Sequence, residues 1–158
     1  MVISVPTPLT DYQPDLSYVI DAAKTVGENL VSNQVVILES TTYPGTTIEV
    51  LIPNLEKRSG LIAGKDFFVG YSPERIDPGN KIWKFKNTPK VISGMNDDST
   101  KKIKEFYESI IDETVVVNGT KEAEMVKLLE NTYRHVNIAL INELAMPVSY
   151  THLRAHET

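Results

Sequence analysis

The chain has 158 residues, 41% of them hydrophobic and 23% charged, and a formal net charge of −5 with acids and bases interspersed. That balance is globular rather than disordered, suits one domain of ordinary size and argues against a nucleic-acid partner. The absence of cysteine excludes disulfides, thiolate metal sites and a cysteine nucleophile within the chain. No stretch has the length of a membrane span, and the opening MVISVPTPL has neither the basic region nor the long apolar core of a secretory leader. A cytoplasmic protein with no membrane partner is the default.

Taken in chain order, the apolar run Val2–Val5 predicts a buried strand stopped by Pro6. Pro14–Leu30 predicts a helix with Asp15 as its N-cap and Leu16, Val19, Ile20 and Ala23 as its apolar stripe. Gln34–Leu38 is a second buried strand, and Thr46–Lys57 a helix that Pro53 should kink or break. Asp66–Ser72 and Lys90–Gly94 read as strands either side of a polar loop. Asp97–Ile111 is a helix with acids in its first turn, where the helix dipole favours them. Thr114–Val117 is a fifth strand, and Thr120–Met146 one long helix.

Short apolar strands alternating with helices imply an α/β protein with a parallel sheet covered on both faces. Ligands of such sheets bind at the carboxyl ends of the strands. The loops PTPLTDYQ, ESTTYPGTT and YSPERIDPGN each follow a strand directly. They are therefore the candidate site.

The loop after Gln34–Leu38 crowds hydroxyls around a Pro-Gly pair. Thr42 or Thr46 can cap the following helix while Gly45 supplies the turn. Alternatively, hydroxyls and free amides at a strand end and helix start can hold an anionic or oxyanionic group. The long helix is apolar nearly all round, which predicts that it is largely buried. Glu124, Lys127, Asn131 and Asn142 fall at steps compatible with one face of it. A buried lysine is costly, so Lys127 either reaches solvent or a cleft or pairs with a carboxylate. Glu74 is a loop acid just past a strand, and Arg75 with Asp77 suits a surface ion pair of little weight.

Other motifs carry less. The dinucleotide fingerprint G-x-G-x-x-G is absent, and GLIAGKD is a residue short of a phosphate loop. The sequon Asn118-Gly119-Thr120 has no meaning without secretion. The ending VSYTHLRAHET breaks the helical pattern after Pro147 and matches a translated sequencing adapter. Residues 148–158 are therefore expected to be a non-native tail, and His152 and His156, four apart, are not read as metal ligands; no metal is expected.

In order and spacing, VPTPL, PDLSYV, LESTTYPGTT, GYSPERIDPGN, NTPKVISG and AEMVKLLENTYRHVNIALINELA resemble the nucleotide-sugar dehydrogenases of the UDP-glucose/GDP-mannose dehydrogenase family. ESTTYPGTT together with SPERIDPGN most resembles the UDP-N-acetylglucosamine/UDP-N-acetylmannosamine 6-dehydrogenase branch. The resemblance implies NAD as cofactor, a UDP-sugar substrate, two successive hydride transfers that take C6 from alcohol to carboxylate, and a cysteine that traps the aldehyde. It implies that Thr41 orients a water or oxyanion, that Glu74 serves thioester hydrolysis, and that Lys127 and Asn131 stabilise the developing alkoxide. Val5, Pro6, Thr7, Ser40 and Thr41 would meet the cofactor, and Glu74, Arg75, Ile76 and Asp77 would approach the sugar with Lys127 and Asn131. Some relatives carry a second glutamate four residues after the first; here that position is Pro78, with Asp77 one step earlier.

By the same resemblance, residues 1–119 are the second half of a Rossmann-like NAD-binding sheet with its flanking helices. Residues 120–147 begin a central helical domain that builds a homodimer in the full-length protein. The glycine-rich loop and the cysteine would lie outside this internal piece, which by itself should be inactive. Two other readings stay open: a non-catalytic nucleotide or nucleotide-sugar binding module, and a scaffold that dimerises through the long helix.

Overall fold

The computed structural model describes residues 1–76 and 79–150, the last four by their main chain only. Asp77, Pro78 and most of the expected adapter tail, including both of its histidines, lie outside the described residues. The elements are β1 (Val2–Ile3), β2 (Leu9–Thr10), β3 (Gln13–Pro14), α1 (Ser17–Glu28), β4 (Val35–Leu38), a π-helical turn (Thr47–Leu51) running into α2 (Ile52–Ser59), β5 (Phe68–Tyr71), β6 (Lys90–Gly94), α3 (Asp97–Glu108), β7 (Thr114–Val116) and α4 (Thr120–Tyr150). They form two compact units, Met1–Lys127 and a second that begins at Leu128.

In the first unit a five-stranded sheet has the order β1-β4-β5-β6-β7. β1, β4 and β5 are mutually parallel, with Ile3 opposite Leu38 and Leu38 opposite Tyr71. β6 is antiparallel to β5, pairing Tyr71 with Ser93, and β7 is parallel to β6. The all-parallel expectation is corrected at this junction. The connection from β5 to β6 carries no helix among the described residues. A return without a crossover brings the next strand back in the opposite sense. The start of β6 therefore lies beside the carboxyl end of β5, which puts Lys90 next to the loop that carries Glu74.

Alternation along each strand covers both faces. Val36, Leu38, Val69, Tyr71 and Val91 share a core with Val19 and Ala23 of α1, Leu51 and Leu55 around α2, and Ala123 of α4. Ile37 and Ile92 point the other way, against Ile103, Tyr107 and Ile111. By the same period Glu39 and Lys90 fall on the α3 face and Ser40 on the opposite one.

Local sequence explains the helix ends. Asn96 accepts the Ser99 amide at 2.9 Å as the N-cap of α3. Asp15 accepts the Ser17 amide at 2.9 Å, but the N-cap position of α1 is Leu16, so the expected cap is a turn one residue upstream. Pro53 lands in the first turn of α2, where a missing N–H costs nothing, and the backbone ahead of it widens into the π turn. β2 and β3 form a hairpin turned at Asp11 and Tyr12, both at positive φ.

The second unit corrects two expectations. The main chain stays helical past Pro147 to Tyr150. Proline removes only its own amide and crowds the carbonyl four residues back, which can bend a helix without ending it. Nor is this helix buried: Leu129, Tyr133 and Ile141 are 62%, 72% and 64% exposed. Its apolar side chains surround the axis, and no layer among the described residues covers them.

The closest backbone approach is at Gly70. A Cβ there would stand 2.0 Å from the Ser93 carbonyl and 2.3 Å from Ile103 Cδ1. Overpacking of this kind costs about 1–3 kcal/mol, so Gly70→Ala should lower the unfolding free energy measured in urea by at least that amount, with a lower midpoint. An unchanged midpoint would show that β5 and β6 are not packed as described.

Candidate functional site

The corner after β4 is stitched before it is functional. Ser40 Oγ accepts the Val5 amide and donates to the Val5 carbonyl, both at 2.8 Å. Thr7 Oγ1 donates to the Thr41 carbonyl at 2.7 Å. The hydroxyls of Thr7 and Ser40 thus tie the β1 loop to the β4 loop, placing Val5–Pro8 alongside Ser40–Thr41. Gly45, at φ +106, turns the chain into the π turn. The Thr46 hydroxyl donates back to the Tyr43 carbonyl at 2.7 Å. Thr42 Oγ1 is buried without a hydrogen bond among the described residues.

Neither Thr42 nor Thr46 caps the helical segment that follows. The acceptor is Glu124, fully buried on α4. Its carboxylate takes the Gly45 amide at 2.6 Å, the Thr47 amide at 2.8 Å and the Thr47 hydroxyl at 2.7 Å. Amides at a helix start need acceptors, and an acid from another element provides them. This fixes α4 against the corner.

One turn further along α4, the Lys127 ammonium donates to the main-chain carbonyl of Glu74. The Glu74 side chain is held on both oxygens. Oε1 accepts the Arg75 and Ile76 amides at 2.8 and 2.7 Å, and Oε2 meets Lys90 Nζ at 3.2 Å. Lys90, only 4% exposed, also lies 2.8 Å from Glu39. Tyr107 donates to Glu39 at 2.6 Å, and the Lys90 ammonium sits 5.3 Å from its ring centroid. Burial works to raise the Glu74 carboxyl, but the Ile76 amide, the Lys90 ammonium and the Arg75 amide outweigh it. The net direction is below the ordinary value.

Of the residues expected at the site, Glu74 and Lys127 are in contact. Val5, Thr7, Ser40 and Thr41 share the corner after β4. Arg75 donates to the Pro89 carbonyl at 2.8 Å, and Ile76 contributes its amide to Glu74. Asn131, half-buried, lies one turn beyond Lys127 in the second unit. Sequence reasoning missed the roles of Glu124, Glu39, Lys90 and Tyr107. The signal was there: a charge in an apolar strand such as KVISG, or in an apolar helix, demands a buried partner. Among the described residues no group of three or more His, Asp or Glu side chains could hold a metal ion, and no helix is long and apolar enough to cross a membrane.

A largely parallel sheet whose strand ends meet in one polar corner, covered by a following helix, defines an α/β domain of the dinucleotide-binding class. Residues 1–111 match the NAD binding domain of the UDP-glucose/GDP-mannose dehydrogenase family, and residues 121–157 match its central domain. The chain belongs to that family. It is 47% identical over 148 residues to Protein CapL of Staphylococcus aureus, covering 92% of this chain and 35% of that protein. It is 46% identical over 147 residues to the UDP-N-acetyl-D-glucosamine 6-dehydrogenase of Salmonella typhi, with the same coverage of each. The structure of UDP-D-ManNAc dehydrogenase from Pyrococcus horikoshii superposes with a TM-score of 0.87 at 38% identity, over 99% of this chain and 38% of that one. The chain thus spans about a third of the length of these relatives.

Burial is the largest influence on Glu124 and pushes its carboxyl above the ordinary range; the Thr47 and Gly45 donors and Lys121 oppose it only in part. A carboxyl raised in the fold binds its proton more tightly folded than unfolded. Its contribution to stability is therefore lost as pH rises from the ordinary carboxylate value through the raised one. Glu124→Gln removes that titration. Across this window the urea midpoint of the parent should fall relative to Glu124→Gln as pH rises; parallel curves would contradict the assignment.

Proposed function

We propose that this chain is part of an NAD-dependent nucleotide-sugar 6-dehydrogenase that oxidises the C6 hydroxyl of a UDP-N-acetylhexosamine to a carboxylate in two hydride transfers. The observation that carries the reading is the Lys127 ammonium held on the Glu74 carbonyl, just past the carboxyl end of β5. Relatives named as UDP-N-acetylglucosamine and UDP-N-acetylmannosamine dehydrogenases, 41% to 46% identical over nine-tenths of this chain, support the substrate class. In this reading residues 1–119 belong to the cofactor domain, residues 120–147 open the central one, and the enzyme works in the cytoplasm.

The corner fits a dinucleotide. Two parallel strands, β1 and β4, end there side by side, and Thr42 Oγ1 is a buried oxygen still without a hydrogen bond among the described residues. Val5, Pro6, Thr7, Ser40 and Thr41 would hold NAD, and a fresh NAD would supply the hydride acceptor for each of the two oxidations. The engaged hydroxyls of Thr7 and Ser40 keep the corner's shape.

The chain's own groups do the rest. Lys127 offers a fixed positive charge to the oxygen that becomes an alkoxide at C6, which lowers the barrier most where water is excluded. Asn131 adds a neutral donor on the same helix, and Thr41 orients a water or the oxyanion. Glu74, kept ionised, can accept a proton from water during thioester hydrolysis. By the family resemblance, Arg75, Ile76 and Asp77 would approach the sugar. The family's aldehyde-trapping thiol has no counterpart in this chain, which holds no cysteine, so in this reading the chain by itself should be inactive. The exposed apolar side chains between Leu129 and Met146 support a homodimer contact in the full-length enzyme.

In the full-length enzyme carrying this chain, UDP-N-acetylglucosamine or UDP-N-acetylmannosamine should yield two NADH per sugar, measured by absorbance, and UDP-glucose much less. Lys127→Ala should lower kcat about 10²–10³-fold with little change in KM. No NADH from any UDP-sugar would overturn the function, and unchanged turnover would remove Lys127 from it. Thr41→Ala should slow oxidation at an unchanged melting temperature; a large loss of melting temperature would make Thr41 structural instead.

A further inference from the structure

Lys90 has no part in the reaction as set out above, yet it is the most deeply buried cation described. It stands at the first position of β6, where the antiparallel return brings it beside the loop after β5. Its ammonium bridges Glu39 at 2.8 Å and Glu74 at 3.2 Å. Glu39 is in turn fixed by the Tyr107 hydroxyl at 2.6 Å. Lys90 of β6 thus joins Glu74 to Glu39 at the end of β4, which α3 holds in turn through Tyr107.

We propose that Lys90 is the positioning residue of Glu74: anchored on Glu39 and against the Tyr107 ring, its ammonium holds Oε2 of Glu74 and so fixes the loop whose carbonyl receives Lys127. The proposal rests on the reading of Glu74 as a catalytic group and extends it. Without Lys90, Glu74 keeps the Arg75 and Ile76 amides on Oε1 but loses its partner on Oε2. Oε2 then has no ammonium on it, and the loop keeps its ties toward β6 through the Ser72 hydroxyl on the Val91 carbonyl and Arg75 on the Pro89 carbonyl among the described residues. Among the described residues, the charged and titratable groups around Glu74 include Lys90 from β6, Glu39 from the end of β4, Tyr107 from α3, Lys127 from α4 and the neighbouring Arg75. Lys90 opposes the field of Glu39 directly, so removing it leaves Glu74 facing Glu39 without that cation between them, and Glu74 becomes harder to ionise.

The test has two arms. In the first, the Glu74 carboxyl of this chain is titrated by carbon NMR in the parent, in Lys90→Met and in the double variant Lys90→Met/Glu39→Gln. The double variant leaves no uncompensated buried charge at Glu39 and keeps the experiment alive if the single variant does not fold. Glu74 should titrate about one pH unit higher in Lys90→Met than in the parent, and higher by a smaller step in the double variant, which loses the opposing Glu39 charge together with the cation; curves coincident with the parent overturn the proposal. In the second arm, kcat against pH is measured for the full-length enzyme. Loss of Lys90 should move the acid limb upward and reduce kcat at least tenfold with KM nearly unchanged, and Lys90→Arg should restore most of both. A titration shift without any movement of the kinetic limb overturns positioning as Lys90's role. Full turnover in Glu74→Gln would instead remove Glu74 from catalysis, a failure of the functional reading visible separately from the NMR result.

Discussion

A carboxylate sealed inside the protein governs how the rest is arranged. Glu124 accepts two amides and a hydroxyl from the Gly45–Thr47 turn, with no exposure to solvent. Each of those donors would cost about 1–3 kcal/mol if left buried without an acceptor. The turn therefore cannot leave α4, and α4 cannot slide along the turn. Lys127 follows three residues later on the same helix, so its reach toward the loop after β5 is decided by where Glu124 is held.

The site follows from that constraint together with the sheet. Parallel β1, β4 and β5 deliver three loops to one end. Hydroxyls of Thr7 and Ser40 join two of them, and Lys127 joins the helix to the third. The antiparallel return into β6 then brings Lys90 to the same end, where it faces Glu39 and Glu74. A wholly parallel sheet would have put the start of β6 at the opposite end, away from both acids. The chemistry of the corner thus depends on a strand direction as much as on residue identity. The polar and charged groups either stitch loops together or hold one another in place, as a preorganised site requires.

Much of this was legible in the residues. Apolar runs marked β4 and β6 closely, and Pro53 announced the interruption that became a π turn. The order of ESTTYPGTT, SPERIDPGN and the long helix pointed to the family that the chain belongs to. Other features were hidden for physical reasons. The direction of β6 is set by its connection, and KVISG reads the same either way. The Leu9–Pro14 hairpin turns through Asp11 and Tyr12, which lack the Asn-Gly signal such turns ordinarily show. The apolar character of α4 was plain, but a sequence pattern does not say what covers it. Glu124 and Lys90 were visible as charges in apolar surroundings, yet their partners are far away in the chain, and only the fold brings them together.

The central claim is that the Gly45–Thr47 turn is held by Glu124 in the interior, and amide hydrogen exchange reads it residue by residue. If the claim is right, the Gly45 and Thr47 amides exchange only as slowly as those in the middle of β4, opening with the global unfolding of the first unit. Exchange at the rate of an exposed loop amide, while β4 stays protected, would contradict it.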